Sequence, residues 1–127
     1  MKEETRQHLR RARRLLAMVE ARAEVELPEV IAHTAYYAMH HAALALFVDR
    51  GLTLPKTHSG LITRLSQLDR EASLQAKAEV GRLSRALDRR LIADYEAQDT
   101  LTVEHARAAR DEAVAFVSFC ERLISAS

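Results

Sequence analysis

Tryptophan is missing from this chain, and cysteine, proline and glycine are scarce: one Cys, two Pro and three Gly in 127 residues. The lone Cys120 cannot close an intramolecular disulfide, so packing alone has to hold the fold. So few glycines and prolines, alongside 48% hydrophobic and 29% charged residues, exclude disordered and fibrous chains and favour a predominantly helical globular domain. An excess of one charge is also lacking. With 19 Lys and Arg against 18 Asp and Glu, the formal charge of +1 gives no net electrostatic reason to expect nucleic acid, and only local patches remain to be weighed. There is no charge-free apolar run of about 18 residues, so a membrane span is not expected. The opening residues, MKEETRQHLRRARR, contain no apolar signal core, and a cytoplasmic protein is the expectation.

What is present is helical periodicity within a single expected domain over 1–127. Leu9, Ala12, Leu16, Val19 and Ala23 lie on one stripe of a first helix running from about Glu3 to Glu26. Leu27 and Pro28 interrupt it, and the proline is placed to open a second helix from about Glu29 to Arg50. That helix is apolar on more than one face: Val30, Tyr37, Leu44 and Val48 form one ridge, with Ile31, Ala35, Ala38, Ala42 and Ala45 beside it. This is the pattern of a central helix, and its alanines permit close approach. Gly51 is the expected stop, followed by a loop to Gly60. Ser59 or Thr57 then caps a short helix through Leu61, Ile62, Leu65 and Leu68. A polar break at Asp69–Ser73 precedes a fourth helix from about Leu74 to Ile92, with a ridge of Val80, Leu83, Leu87 and Leu91. Thr102 caps the last, whose inner side carries Val103, Ala106, Val114, Val117 and Ile124. The expected fold is all-α, an antiparallel bundle of four long helices plus one short helix. Because so small a core buries a limited fraction of the chain's surface, a homodimer or another protein partner is expected.

Four groups of residues carry possible chemistry. His33, Tyr37, His40 and His41 fall on the second helix, where His33, Tyr37 and His40 share a face and form a titratable patch. Their apolar bodies equally suit packing and side-chain hydrogen bonds. No His-Glu-x-x-His pattern accompanies them, and neither a metal nor a cofactor is expected. Lys56, His58 and Ser59 surround a helix start, a setting able to bind an anion, although the pattern of a phosphate loop is incomplete and capping competes. Lys2, Arg6, Arg10, Arg11, Arg13 and Arg14 make the first helix locally basic, able to meet an RNA backbone or an acidic protein. Arg89 and Arg90 lie one turn before Asp94, with Arg90 and Asp94 spaced for an ion pair and Tyr95 following as a hydrogen-bonding group.

Taken in order, the AYYAMHHAA segment from Ala35 to Ala43, KTHSG from Lys56 to Gly60 and RLIADY from Arg90 to Tyr95 resemble the HEPN family, and specifically its short stand-alone prokaryotic members. The resemblance covers nearly the whole chain. It implies a helical bundle, commonly dimeric, often encoded with a minimal nucleotidyltransferase or found in toxin–antitoxin systems. Some members cleave RNA with an arginine and a downstream histidine from each of two protomers meeting in a dimer cleft. Here no histidine lies between Ala93 and Gln98, and an ionised Asp94 in its place adds negative charge beside a phosphate. Thr34 stands where many relatives carry arginine. The resemblance therefore implies a noncatalytic subunit that binds a nucleotidyltransferase or a nucleic acid, nucleotide or RNA, through Lys56, His58, Ser59, Arg90, Asp94 and Tyr95. The alternatives are a divergent toxin-type endoribonuclease using Arg89 or Arg90 with His58 or a helix-two histidine, and a structural helical interaction protein.

Overall fold

The computed structural model describes residues 1–68, 74–96 and 100–125, so the polar break at 69–73, Gln98 and the last two residues lie outside the described part. The described residues form five helices and no strand: α1 (Glu3–Arg22), α2 (Pro28–Asp49), α3 (His58–Leu68), α4 (Leu74–Tyr95) and α5 (Val103–Ser125). This is the expected bundle of four long helices and one short one.

Helix α2 occupies the centre, packed on α1, α4 and α5. Pairs bridging the helices give their directions. Lys2 and His8 of α1 meet Val48 and His41 of α2, and His33 of α2 meets Asp94 of α4. Arg89 of α4 meets Glu112 of α5, while Arg13 and Glu24 meet Glu121 and Arg107 across α1 and α5. α1 thus runs antiparallel to both α2 and α5, which makes α5 parallel to α2, and the start of α2 meets the end of α4. The alanines beside the Val48 ridge explain the close packing: Ile31, Ala35, Ala38, Ala42 and Ala45 are all fully buried, joined by Tyr36, Met39 and Phe47. The ridge of Val30, Tyr37, Leu44 and Val48 is the wetter side, with Val30 exposed and Tyr37 and Leu44 half-buried, although Val48 is buried.

Several helix ends differ from the sequence reading. α1 stops at Arg22 because its apolar stripe ends at Ala23, and Val25 and Leu27 beyond it are exposed, leaving no burial to hold further turns; Glu26 instead accepts a hydrogen bond from the Leu27 N–H. α3 begins at His58, since Thr57 is the cap that forms, its Oγ1 accepting from the Gly60 N–H at 2.9 Å. A Cβ on Gly60 would lie 2.7 Å from that same oxygen, so the glycine is what lets the cap close. α4 runs on through Ala93, Asp94 and Tyr95, carried by the Arg90–Asp94 ion pair one turn apart. Gly51 stops α2 as expected, at φ +68°. Thr102 caps α5 reciprocally with His105: the Thr102 N–H donates to His105 Nδ1 at 2.9 Å, and Thr102 Oγ1 faces the same ring, so the imidazole fills the place a Glu or Gln takes in a capping box.

The expected α4 ridge needs one change. Leu83 is fully buried, but Leu91 is 41% exposed, and Ala76, Glu79 and Ala86 take core positions instead. On α5, Phe116, Phe119 and Cys120 join Val117 and Ile124 inside. The buried alanines generate a direct prediction: Ala38→Leu, which adds hydrophobic surface and preserves helix propensity, should lower stability by about 1–3 kcal/mol, because a full contact surface has no room for the added carbons. Urea unfolding followed by circular dichroism measures it, and an unchanged midpoint would show that α2 is less tightly enclosed than this.

Candidate functional site

A contiguous set of rings and charges lies where α2 faces α4 and the start of α3. Helical spacing places His33, Tyr36, Tyr37 and His40 on successive turns, and α3 delivers His58 to them because Thr57 caps the helix one residue earlier. The Tyr36 ring is fully buried, and its hydroxyl lies 2.6 Å from His58 Nδ1. Burial raises the Tyr36 phenol well above its ordinary value, and burial with the Arg90 charge lowers the His58 imidazole. The phenol therefore keeps its proton and the imidazole is neutral near pH 7; where the phenol donates to Nδ1, the ring hydrogen of His58 sits on Nε2. The His40 ring sits 5.0 Å from that of His58, and its Nδ1 is buried without a hydrogen-bond partner among the described residues.

From α4, Arg90 reaches over the Tyr37 ring, 5.6 Å from its centroid. Its Nε lies 2.9 Å from Asp94 Oδ2 as an ion pair, but off the hydrogen-bond axis, and this buried N–H is left without an acceptor. The other Asp94 oxygen receives a hydrogen bond from His33 Nδ1 at 3.0 Å, and the His33 ring leans on Tyr37 at 4.9 Å. Asp94 thus ties α4 to α2 while fixing the direction of Arg90. Arg89, its neighbour in sequence, goes the other way, donating to Glu112 of α5 at 2.6 Å.

Not all the sequence-selected residues gather here. His33, Tyr37, His40, His58, Arg90 and Asp94 do. His41 turns to α1, where its Nδ1 meets His8 Nδ1 at 3.0 Å. Lys56 and Ser59 are exposed on either side of His58 in sequence, and Tyr95 is 76% exposed. Tyr36 and His8 belong to the network and went unselected. Tyr36 was visible only as half of a tyrosine doublet, and its partner lies twenty-two residues away. His8 gains meaning only from the antiparallel register of α1 on α2. Among the described residues no three His, Cys, Asp or Glu side chains converge as a metal site.

The arrangement offers hydrogen-bond donors and one oriented cation. Such a set suits an anionic oxygen, while His58 Nδ1 is engaged with the Tyr36 hydroxyl.

Comparison with known proteins agrees with this architecture. The model of the HEPN domain matches residues 5–123. This chain belongs to the HEPN domain family. A UPF0332 protein of Archaeoglobus fulgidus is 37% identical over 87 residues, covering 68% of each chain. The RLIADY and KTHSG segments of this HEPN chain are therefore the stretches that deliver Arg90, Asp94 and His58 to the α2 rings.

Burial, followed by the charges of His58, His41, His8 and Arg90, drives the His40 imidazole from 6.5 down to about 4. Between those values the unfolded chain binds a proton that the folded one refuses, so native stability is full above pH 6.5 and falls as pH drops toward about 4. Melting temperatures across this window should decline for the native protein and decline less for His40→Gln. Parallel curves for the two would remove His40 as a source of the acid lability.

Proposed function

We propose that this HEPN protein is a noncatalytic binding subunit whose α2–α4 cleft takes a phosphate-bearing or acidic surface of a nucleic acid or nucleotidyltransferase partner. The observation that carries the reading is the state of Arg90. It is held between the Tyr37 face and Asp94, its Nε–H without an aligned hydrogen-bond acceptor among the described residues, beside a His58 whose Nδ1 is engaged by Tyr36. An oriented cation beside an imidazole already engaged fits recognition better than proton transfer. Exposed Val30, Leu91 and Tyr95 flank the His33–Asp94 contact, and Leu27 lies one turn before Val30. This apolar rim around a polar centre supports a homodimer that closes over the cleft. A cytoplasmic setting accords with the single buried thiol and with the finding that no described helix is long and apolar enough to cross a membrane.

A second reading, a divergent endoribonuclease, draws on the unpartnered Nδ1 of His40 beside His58 and Arg90. An RNA pool distinguishes the two. The native protein should bind single-stranded RNA oligomers without shortening them, and Arg90→Ala should weaken that binding by about tenfold with the fold intact. Cleavage by the native protein that is lost in both Arg90→Ala and His40→Ala would establish the nuclease reading instead. RNA binding that survives Arg90→Ala would move the nucleic acid off this cleft. For the assembly, light scattering should give about twice the chain mass over the micromolar range, and Leu91→Asp should return it to the monomer value; a monomeric native protein would sink the dimer.

A further inference from the structure

Three arginines of α1 converge on one concavity with little to neutralise them. Arg6 pairs with Glu3 at 3.6 Å and Arg13 pairs with Glu121, whereas Arg10, Arg11 and Arg14 have no carboxylate of the described residues within 4.0 Å. They border a cleft of about 360 Å³ between α1 and α2, together with His8 and His41. Glu4 is the single carboxylate on its wall, and three guanidiniums against it leave two positive charges. The His8 and His41 rings spend their Nδ1 atoms on each other at 3.0 Å, so with both neutral one ring presents an Nε2–H donor and the other an Nε2 acceptor. Along the same groove a second cleft of about 270 Å³ shares Arg11 and His41 and is walled by Leu15, His33, Thr34 and Tyr37. The first compartment is cationic; the second has an aliphatic side and an aromatic one.

We infer that this α1–α2 groove is a binding site for a phosphate monoester attached to a planar ring, with the phosphate held by Arg10, Arg11 and Arg14 and the ring lodged between Leu15 and Tyr37. Charge selects the monoester. A terminal phosphate carries close to two negative charges at neutral pH, matching the cleft, while an internal phosphodiester carries one. Guanidinium forks suit the phosphate oxygens, and the neighbouring compartment accepts a ring that free phosphate lacks. The site uses no α4 residue, and His33 and Tyr37 of α2 stand at the border between it and the α2–α4 cluster.

Calorimetry on the full chain with adenosine monophosphate, adenosine and inorganic phosphate tests it at low and moderate salt. Adenosine monophosphate should bind best, more weakly as salt screens the arginines, and inorganic phosphate should bind at least about tenfold less tightly. Arg11→Ala with Arg14→Ala should reduce the nucleotide affinity by about tenfold or more; both side chains are exposed, and an unchanged circular dichroism spectrum confirms the fold. Arg107→Ala, which removes a surface arginine paired with Glu24 and lining neither cleft, should leave it within about twofold. Unchanged affinity in the double variant overturns the site, as does adenosine binding as tightly as its monophosphate. A polyglutamate peptide that binds more tightly than the nucleotide and needs Arg11 and Arg14 would assign the groove to acidic protein and defeat the phosphate assignment. Loss in Arg90→Ala with retention in the double variant would defeat this site too, while leaving the α2–α4 reading standing.

Discussion

A helix that must touch three others at once cannot carry large side chains on every face. Helix α2 meets this constraint with alanine, fully buried at Ala35, Ala38, Ala42, Ala43 and Ala45, and concentrates its bulk in Ile31, Tyr36, Met39, Leu46 and Phe47. Small residues bring α1, α4 and α5 close, and close helices bring their polar termini and edges within hydrogen-bonding reach. The cluster of rings and charges between α2 and α4 is a consequence of that approach. Tyr36 is buried as a core residue, yet its hydroxyl ends at His58, and Tyr37, one residue on, lies at the core's edge where Arg90 can cover it. Core and site are contiguous on the same two turns.

Adjacent residues on one helix are given opposite tasks by rotation alone. Consecutive side chains point about 100° apart, so Arg89 and Arg90 leave α4 toward different neighbours. Arg89 is bound by Glu112, with side chains about equally buried, a pairing that costs much desolvation and is best understood as fixing α4 on α5. Arg90 is equally shielded at 15% side-chain exposure, but its carboxylate comes from its own helix and leaves its Nε–H unsatisfied. Arg89 also leaves a buried N–H, on Nη1, without a hydrogen-bond partner among the described residues, so what sets Arg90 apart is that its carboxylate comes from its own helix and that it covers the Tyr37 face.

The five helices were legible because each depends on local signals: an apolar stripe, a breaker, or a hydroxyl before a helix start. Those signals failed where burial rather than propensity decided. Glu26 belongs to a good helix-forming run, yet α1 ends at Arg22 because nothing covers the following turn, and Leu91 keeps the period of its ridge while facing outward at α4's far end. At the site, spacing within one helix was readable, as with His33, Tyr37 and His40, and so was the Arg90–Asp94 pair. The missing parts were contacts between helices. Neither Tyr36 with His58 nor His8 with His41 leaves a trace in periodicity, since each requires the register of two helices in advance. Lys56 and Tyr95 lie in the same motifs as His58 and Arg90, yet both side chains are exposed, because neighbours in sequence leave a helix or its start in different directions.

The cations on the two faces of α2 also differ in how much freedom they retain. Arg90 is oriented by Asp94, by the Tyr37 face and by burial, so a partner meeting it loses little side-chain entropy but must first compete with a carboxylate. Arg10, Arg11 and Arg14 are exposed and have no described carboxylate within ion-pair distance; their field extends into solvent, and each must be ordered by whatever it contacts. The first arrangement favours discrimination by geometry, the second favours capture at a distance that weakens with salt. Burial keeps His40 and His41 neutral near pH 7, so between these two sets of arginines the histidines add donors and acceptors rather than charge. Neutral imidazoles also spare the closely packed α2 the repulsion that two protonated rings, one turned toward His58 and the other toward His8, would bring into its middle turns.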